Sequence, residues 1–145
     1  MLIYLDTSVS LARLFAENRS PPDTFWSQTF VASRLLEFEV FNRVLAHSAA
    51  ASHAGDARRL VDRVNLREMS APVLGRALRP FAWLLRTLDA LHLATKDFLR
   101  SQGLTPVLAT HDSRLAPAAV GDGFVLAGCW PLTVCVACRA TNAPL

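Results

Sequence analysis

The chain has 145 residues, of which 52% are hydrophobic and 19% charged, and its formal net charge is +3. This length and composition indicate one globular domain with a buried core, which excludes a disordered chain and a fold that needs a metal or disulfide merely to hold together. The positive charge comes from fourteen arginines and one lysine. Guanidinium groups bind phosphate oxygens bidentately, so a polyanionic partner is one interpretation of this bias, and arginine-rich coding is the other.

The amino-terminal ten residues lack the basic region of a secretory signal, and Asp6 interrupts their apolar run. No uninterrupted apolar stretch reaches the roughly 18 residues that a membrane-spanning helix needs. All three cysteines lie at or after residue 129, which does not suit a disulfide scaffold. We therefore expect a cytoplasmic protein that does not enter a membrane.

The first part of the chain predicts strand, helix and strand in succession. Residues 2–6 form a short apolar run typical of a strand, after which Thr7 or Ser8 can cap a helix. Two prolines predict a turn within residues 18–23. Residues 29–32 predict a second strand.

Two helices are predicted next. Ser33 can cap a long helix that runs to about Ser48, because apolar residues recur there at helical spacing. The buried side of this helix is predicted to hold Leu36, Val40, Val44 and Leu45. A second helix is predicted over residues 54–65, and three arginines face outward from it: Arg58, Arg59 and Arg63.

The rest of the chain continues the alternation. The pattern predicts a strand at 66–69, a helix at 71–78, a helix at 87–101 that is apolar on nearly all sides, a strand at 106–110, a short helix opened by Asp112, and a last strand at 124–128. Helices alternating with strands indicate an α/β sandwich with a mostly parallel sheet, in which ligands bind beyond the carboxyl ends of the strands. We expect one domain over residues 1–128, followed by an appendage, residues 129–145, of different composition.

Four acidic residues can converge on that edge of the sheet. Asp6 and Asp112 follow two strands, whereas Glu39 and Asp89 lie near the starts of two helices. Asp89 is set among leucines and alanines, where burying an unpaired carboxylate costs several kcal/mol, so a cation should meet it. Simpler interpretations exist for each acid alone.

Those simpler interpretations are structural. Asp6 and Asp112 can serve as helix caps, Asp89 can pair with Arg86 on its own helix, and Glu39 can be solvated.

Four short motifs occur together along the chain. They are Leu-Asp-Thr-Ser at 5–8, Ser-x-Leu-x-x-x-Glu at 33–39, Asp-Ala-Leu-His-Leu-Ala at 89–94 and Thr-x-Asp-x-x-Leu at 110–115. In this order and spacing the chain resembles a PIN domain of the VapC toxin type. The resemblance implies a three-layer α/β/α sandwich, an acidic pocket that binds Mg²⁺ or Mn²⁺, and cleavage of single-stranded RNA, often in a tRNA or rRNA loop.

The resemblance also implies roles for individual residues. The metal-binding and catalytic acids correspond to Asp6, Glu39, Asp89 and Asp112, and the polar residues that support them correspond to Thr7, Ser8 and Thr110. Glu37 competes with Glu39, but two helical positions differ by about 200°, so only one can face the metal, and the motif favours Glu39. The family often carries arginine three residues after its glutamate. Here Asn42 holds that place with Arg43 next to it, so either residue is a candidate for that role.

Hard carboxylate oxygens suit Mg²⁺, which also binds phosphate and promotes attack of water on phosphorus, with one ion or two. Setting the four acids aside leaves 15 basic against 8 acidic residues. The remaining surface is therefore cationic, and Arg58, Arg59 and Arg63 are candidate RNA contacts.

Other chemistries have weaker signatures. The four histidines lack zinc spacing, and the three cysteines form an incomplete metal set. His92 is expected to pack or hydrogen-bond locally, and His111 to lie at the surface or touch substrate. No glycine-rich phosphate loop occurs.

Three functions are consistent with these sequence features. The first is a toxin endoribonuclease, the second is a PIN nuclease for RNA processing, and the third is a non-catalytic RNA-binding or protein-binding module. For the toxin, the resemblance implies a homodimer and a cognate antitoxin protein. The long helix after Ser33 has more apolar residues than one buried face requires, namely Phe38, Phe41 and Val44. These residues indicate an apolar face that is available to another protein.

Overall fold

Parallel strands form the centre of the fold. The computed structural model describes residues 1–46 and 50–127. Its strands are β1 (Leu2–Leu5), β2 (Thr29–Ser33), β3 (Val64–Arg67) and β4 (Val107–Ala109). They pair in the order β3-β2-β1-β4, every pair is parallel, and the prediction of a parallel α/β fold is confirmed.

Helices cover both faces of this sheet. They are α1 (Thr7–Leu14), α2 (Leu35–Ala46), α3 (Ala50–Val61), α4 (Ala71–Ala77), α5 (Thr87–Ser101) and α6 (Leu115–Gly121), and a 3₁₀ turn occupies Asp23–Ser27. Successive strand residues point to opposite faces. Ile3 and Leu5 therefore pack with α1, α2 and α3, whereas Tyr4 packs with α5 and α6. The result is the expected three-layer α/β/α sandwich.

The register of the sheet sets two loops side by side. Leu5 of β1 pairs with Ala109 of β4, and the backbone N–H of Asp6 donates to the Ala109 carbonyl oxygen at 3.0 Å. Because the two strands are parallel and adjacent, the residues that follow them meet at one edge of the sheet.

The helix starts follow from side-chain caps. The backbone N–H of Leu35 donates to the Ser33 hydroxyl at 3.3 Å, which confirms Ser33 as the cap of α2. For α1, the interpretation of Asp6 as a helix cap is confirmed, and the cap predicted at Thr7 or Ser8 is wrong. The Asp6 carboxylate accepts the backbone N–H of Ser8 at 3.2 Å.

Three other predictions need correction. α3 begins and ends about four residues before the predicted helix at 54–65, because Val64 pairs with Phe30 in the sheet, and β3 moves with it from the predicted 66–69. Leu45 is 72% exposed rather than buried. Leu88 is also exposed, so α5 is not covered on all sides.

The end of the described region is simpler than expected. α5 has the predicted bounds, and Gly103, with a φ of +79°, follows it in a conformation that glycine tolerates best. The predicted strand at 124–128 is reduced to a single bridge between Leu108 and Leu126. The appendage at 129–145 lies outside the described residues. Within them, no helix has the length and apolar character needed to cross a membrane.

Candidate active site

Asp6 is the centre of the polar edge of the sheet. It is only 6% exposed, and its carboxylate accepts hydrogen bonds from the Ser8 backbone N–H, the Ser8 hydroxyl and the Thr110 hydroxyl. The Thr110 bond measures 2.8 Å. Several donors that converge on a buried carboxylate satisfy its oxygens and fix it in position.

Ser8 and Thr110 also fix the loop that follows β4. The Ser8 hydroxyl accepts the backbone N–H of His111 at 2.9 Å, and the Thr110 hydroxyl accepts the backbone N–H of Asp112 at 3.0 Å. Each hydroxyl thus joins Asp6 to a backbone group of the neighbouring loop. These are contacts that supporting residues of an acidic pocket would make.

Asp112 has two functions in this arrangement. Its Oδ1 accepts the backbone N–H groups of Arg114 and Leu115, at 2.7 Å and 3.1 Å, and so caps the start of α6. Among the described residues, no hydrogen bond is made to its Oδ2. The helix-cap interpretation is therefore correct for this residue and leaves one oxygen for a ligand.

Glu39 reaches the same edge from α2. Its Oε2 accepts the Thr7 hydroxyl at 2.5 Å and lies 2.7 Å from Nε2 of His92. Burial raises the pKa of Glu39, but the bonds from His92 and Thr7 and the charge of Arg43 more than offset that effect and lower the pKa overall. Glu39 is therefore held as a carboxylate and is not merely solvated.

His92 joins this group through partners that the sequence did not predict. It is 2% exposed, and its Nδ1 lies 3.3 Å from the Tyr4 hydroxyl, which in turn accepts the backbone N–H of Ser33 at 3.1 Å. Burial lowers its pKa, but the bond to Glu39 and the charges of nearby acids more than offset this and raise the pKa. The expectation that His92 packs is confirmed, since its buried ring lies against Tyr4, whereas the expectation of a local hydrogen bond was wrong, because its partners come from β1 and α2.

Asp89 completes the group from the first turn of α5. Its Oδ2 is buried and has no hydrogen-bond partner within the described residues. Burial raises its pKa, and the negative charges of Asp112 and Asp6 raise it further, against the opposing charges of His92 and Arg86. The expected cationic partner is not among the described side chains, and no ion pair with Arg86 forms there.

A known protein is similar to this chain over most of its length. "Ribonuclease VapC47" of Mycobacterium tuberculosis (strain CDC 1551 / Oshkosh) is 30% identical over 133 residues, which cover 87% of this chain and 96% of that protein. The chain belongs to the VapC family of PIN-domain ribonucleases. No protein-family model matches the chain, and no solved structure does.

The four acids of this VapC-type chain fit a divalent cation. They offer hard oxygen ligands, and one of them has a buried oxygen with no protein partner. In the described part of the chain, no three histidine, cysteine or acidic side chains stand close enough to hold one ion directly. A Mg²⁺ ion at this site would keep most of its waters and take one or two carboxylates directly.

Glu37 points to a different environment from Glu39. It forms ion pairs with Arg34 at 3.1 Å and Arg58 at 2.8 Å. These bonds lower its pKa. Asn42 and Arg43 are exposed, and of the two only Arg43 influences the charge of Glu39. Of the two glutamates, Glu39 is the one that contacts the other site residues.

The three candidate RNA-binding arginines on and after α3 have local partners. Arg58 pairs with Glu37 and covers the ring of Phe41, Arg59 pairs with Asp56, and Arg63 donates to the backbone carbonyl oxygen of Trp26. Pairs this exposed contribute little to stability and exchange readily. The assignment of these arginines to RNA stays a prediction.

One sequence signal bears on His92. In Asp-x-x-His, three positions on a helix bring two side chains to neighbouring places, so His92 belongs on the side of α5 that carries Asp89. Tyr4 carries no comparable signal, because an apolar strand residue is normally a core residue.

Proposed function

We propose that this chain is a Mg²⁺-dependent endoribonuclease, with Mn²⁺ as an alternative ion, and that it is the toxin of a toxin–antitoxin system. The observation that carries the proposal is the buried, unpartnered Oδ2 of Asp89 in a group with Asp6 and Asp112 whose charges raise its pKa. The negative charges of Asp112 and Asp6 act on Asp89, and a cation bound among these carboxylates would remove the repulsion.

Asp6, Glu39, Asp89 and Asp112 would hold the ion. A Mg²⁺ ion bound there supplies positive charge for the substrate phosphate and for the charge that develops during cleavage. The hydroxyls of Ser8 and Thr110 hold Asp6 in place, and Thr7 and His92 hold Glu39 in place. The bonds from His92 and Thr7 also lower the pKa of Glu39. Because these contacts exist before substrate binds, the pocket needs little rearrangement to act.

The substrate we propose is single-stranded RNA, with a tRNA or rRNA loop as the natural target. The chain outside the four acids is cationic, with 15 basic and 8 acidic residues, which favours a polyanion. Arg58, Arg59 and Arg63 remain candidate contacts to the RNA backbone.

Protein partners form the second part of the proposal. We propose a homodimer and an antitoxin, and the apolar face of α2 supports a protein contact. Phe38 and Leu45 are both exposed and lie two turns apart on one side of that helix. The earlier inclusion of Val44 in this face was wrong because Val44 is buried, and Phe41 is partly covered by Arg58.

The test is cleavage of RNA by the purified chain. We expect cleavage with Mg²⁺ or Mn²⁺, loss of cleavage in EDTA, and inactivity of Asp6→Asn with its fold intact. Asp23→Asn, which changes an exposed acid paired with Arg13, is the matched control and should retain activity. Activity of Asp6→Asn at the wild-type level would contradict the proposal.

The toxin assignment is tested in cells. Expression of the chain alone should arrest growth, and co-expression of the small protein encoded beside it should restore growth. A monomer by mass that binds no such protein and leaves growth unchanged would favour the RNA-processing nuclease instead.

A further inference from the structure

The segment from Arg79 to Arg86, which leads into α5, exposes a large aromatic side chain. Trp83 is 61% exposed, in contrast to the buried Trp26. Phe81 and Leu85, on either side of it, pack partly against the core between the sheet and α5. Phe81 and Leu85 thus anchor the segment on the core, whereas the side chain of Trp83 is exposed to solvent.

Trp83 is held along one edge. The backbone N–H of Ala82 donates to Asp122 Oδ1 at 3.3 Å. A Cβ atom on Gly121 would lie 3.1 Å from Cδ1 and Nε1 of Trp83 and 2.8 Å from Cβ of Ala82. The indole therefore rests on Gly121 because that residue has no side chain, and most of the ring stays in solvent. A pre-positioned ring loses less conformational entropy when it binds a ligand.

Along the chain around Trp83 the charged residues are basic, and the acid placed against the segment is Asp122, whose Oδ1 accepts the Ala82 N–H. From Met69 to Leu88 the chain has three arginines and no acid. Arg76 pairs with Asp97 and covers Phe81. In the part of the chain that the structure describes, the side chains of Arg79 and Arg86 form no ion pair. Arg79 and Arg86 lie four residues before and three residues after Trp83 along the chain. Arginines that flank an exposed aromatic ring are typical of a nucleic-acid-binding surface.

The position of Trp83 relative to the acidic pocket also suits contact with the same RNA. Arg86 is the cap residue of α5, and its charge acts on Asp89 three positions later. Trp83 is six residues before Asp89, a span of at most about 20 Å even in a fully extended chain. A strand of RNA bound at Asp89 can therefore reach the indole.

We propose that Trp83 is a stacking platform for an unpaired base of the RNA, and that Arg79 and Arg86 bind the phosphates on either side of it. This rests on the proposed ribonuclease function. Stacking on an aromatic ring is tolerant of base identity, because every base has a flat π-face. The platform therefore selects for single-stranded RNA and not for a particular sequence.

The first test is the affinity for a labelled single-stranded oligoribonucleotide, measured by fluorescence anisotropy in EDTA so that no cleavage occurs. Trp83→Ala is expected to bind at least about fivefold more weakly, and Trp83→Phe to recover most of the loss. Leu84→Ala is the matched control, because Leu84 is the fully exposed apolar neighbour. Its affinity should not change.

Two further arms separate stacking from a general loss of binding. A single abasic position in the oligonucleotide should weaken wild-type binding and have no effect on Trp83→Ala. Gly121→Ala keeps the indole but displaces it, so this variant should also bind RNA more weakly than the wild type. Thermal unfolding of each variant checks that its fold is intact.

The outcomes are distinct. If Trp83→Ala binds RNA as the wild type does, while the wild type still cleaves with Mg²⁺, the platform is overturned and the proposed function stands. If Trp83→Ala instead changes only the oligomeric mass or antitoxin binding, the segment is a protein-docking surface and the proposal is overturned. If the wild type neither binds nor cleaves RNA, the proposed function itself fails.

Discussion

Nε2 of His92 lies 2.7 Å from Oε2 of Glu39, and this bond joins α5 to α2 across the acidic edge of the sheet. Behind it, Nδ1 of His92 meets the hydroxyl of Tyr4. His92 thus positions Glu39 and does not itself need to touch a substrate. Mutation of a residue that orients a metal-binding side chain typically lowers metal affinity or activity by about 10- to 100-fold.

Removal of this bond should weaken the response to Mg²⁺. We expect His92→Phe, which keeps a ring but no donor, to need more Mg²⁺ for half-maximal cleavage and to lose about 10- to 100-fold in rate at low Mg²⁺. His92→Gln retains an N–H donor and should recover part of the loss. The measurement is cleavage rate against Mg²⁺ concentration, and equal curves for His92→Phe and the wild type would exclude the positioning role.

Removal of one carboxylate should stabilise the protein without metal. Asp89 is destabilised as an anion by burial and by Asp112 and Asp6, which raise its pKa. We therefore expect Asp89→Asn to melt at a higher temperature than the wild type in EDTA at pH 7, and this advantage should shrink when Mg²⁺ is added. Thermal unfolding with and without Mg²⁺ measures both effects. A lower melting temperature of Asp89→Asn in EDTA would show that repulsion from Asp112 and Asp6 does not destabilise the wild type.

The buried lysine gives a prediction on pH. Lys96 is 3% exposed, its ammonium lies 4.0 Å above the ring of Phe124, and burial together with the charge of Arg100 lowers its pKa to about 8. The folded state binds this proton more weakly than the unfolded chain, whose lysine pKa is near 10.5. The protonated lysine therefore costs stability below about pH 8, and the cost disappears as the pH rises from there toward 10.5.

We accordingly expect Lys96→Met to be more stable than the wild type at pH 7. The difference should close between about pH 8 and the ordinary lysine pKa. Denaturant unfolding across this pH range measures it, and a difference that stays constant with pH would mean that the titration of Lys96 is not the cause.

The arginines of α3 give a test of the RNA path. Simultaneous charge reversal of Arg58, Arg59 and Arg63 should weaken RNA binding. If all three contact phosphates, the slope of log affinity against log salt should become shallower by about 2 for a single strand. Binding titrations at several salt concentrations provide the slope. If it does not change, these arginines serve only their local partners, Glu37, Asp56 and the Trp26 carbonyl.

Strand-end geometry made much of the site predictable. Asp6 and Asp112 follow two parallel strands, so the α/β pattern places both at one edge of the sheet. That these two strands are neighbours is shown by the structure. The bounds of α5 were predictable because Gly103 ends an uninterrupted helical pattern.

Long-range contacts were not predictable in the same way. His92 is 53 residues from Glu39 and 88 from Tyr4, and no local pattern carries such a pairing. The boundary between α3 and β3 was misplaced for a similar reason, since pairing of Val64 with Phe30 in the sheet overrode its helical spacing.

The most direct test compares two glutamates on the same helix. Glu39 meets Thr7 and His92 at the acidic edge, whereas Glu37, two residues earlier, is paired with Arg34 and Arg58. The measurement is the rate of RNA cleavage in Mg²⁺ by Glu39→Gln and Glu37→Gln, both checked for an intact fold. We expect Glu39→Gln to lose nearly all activity and Glu37→Gln to retain it. Full activity of Glu39→Gln, or equal loss in both variants, would contradict the assignment of the acidic pocket.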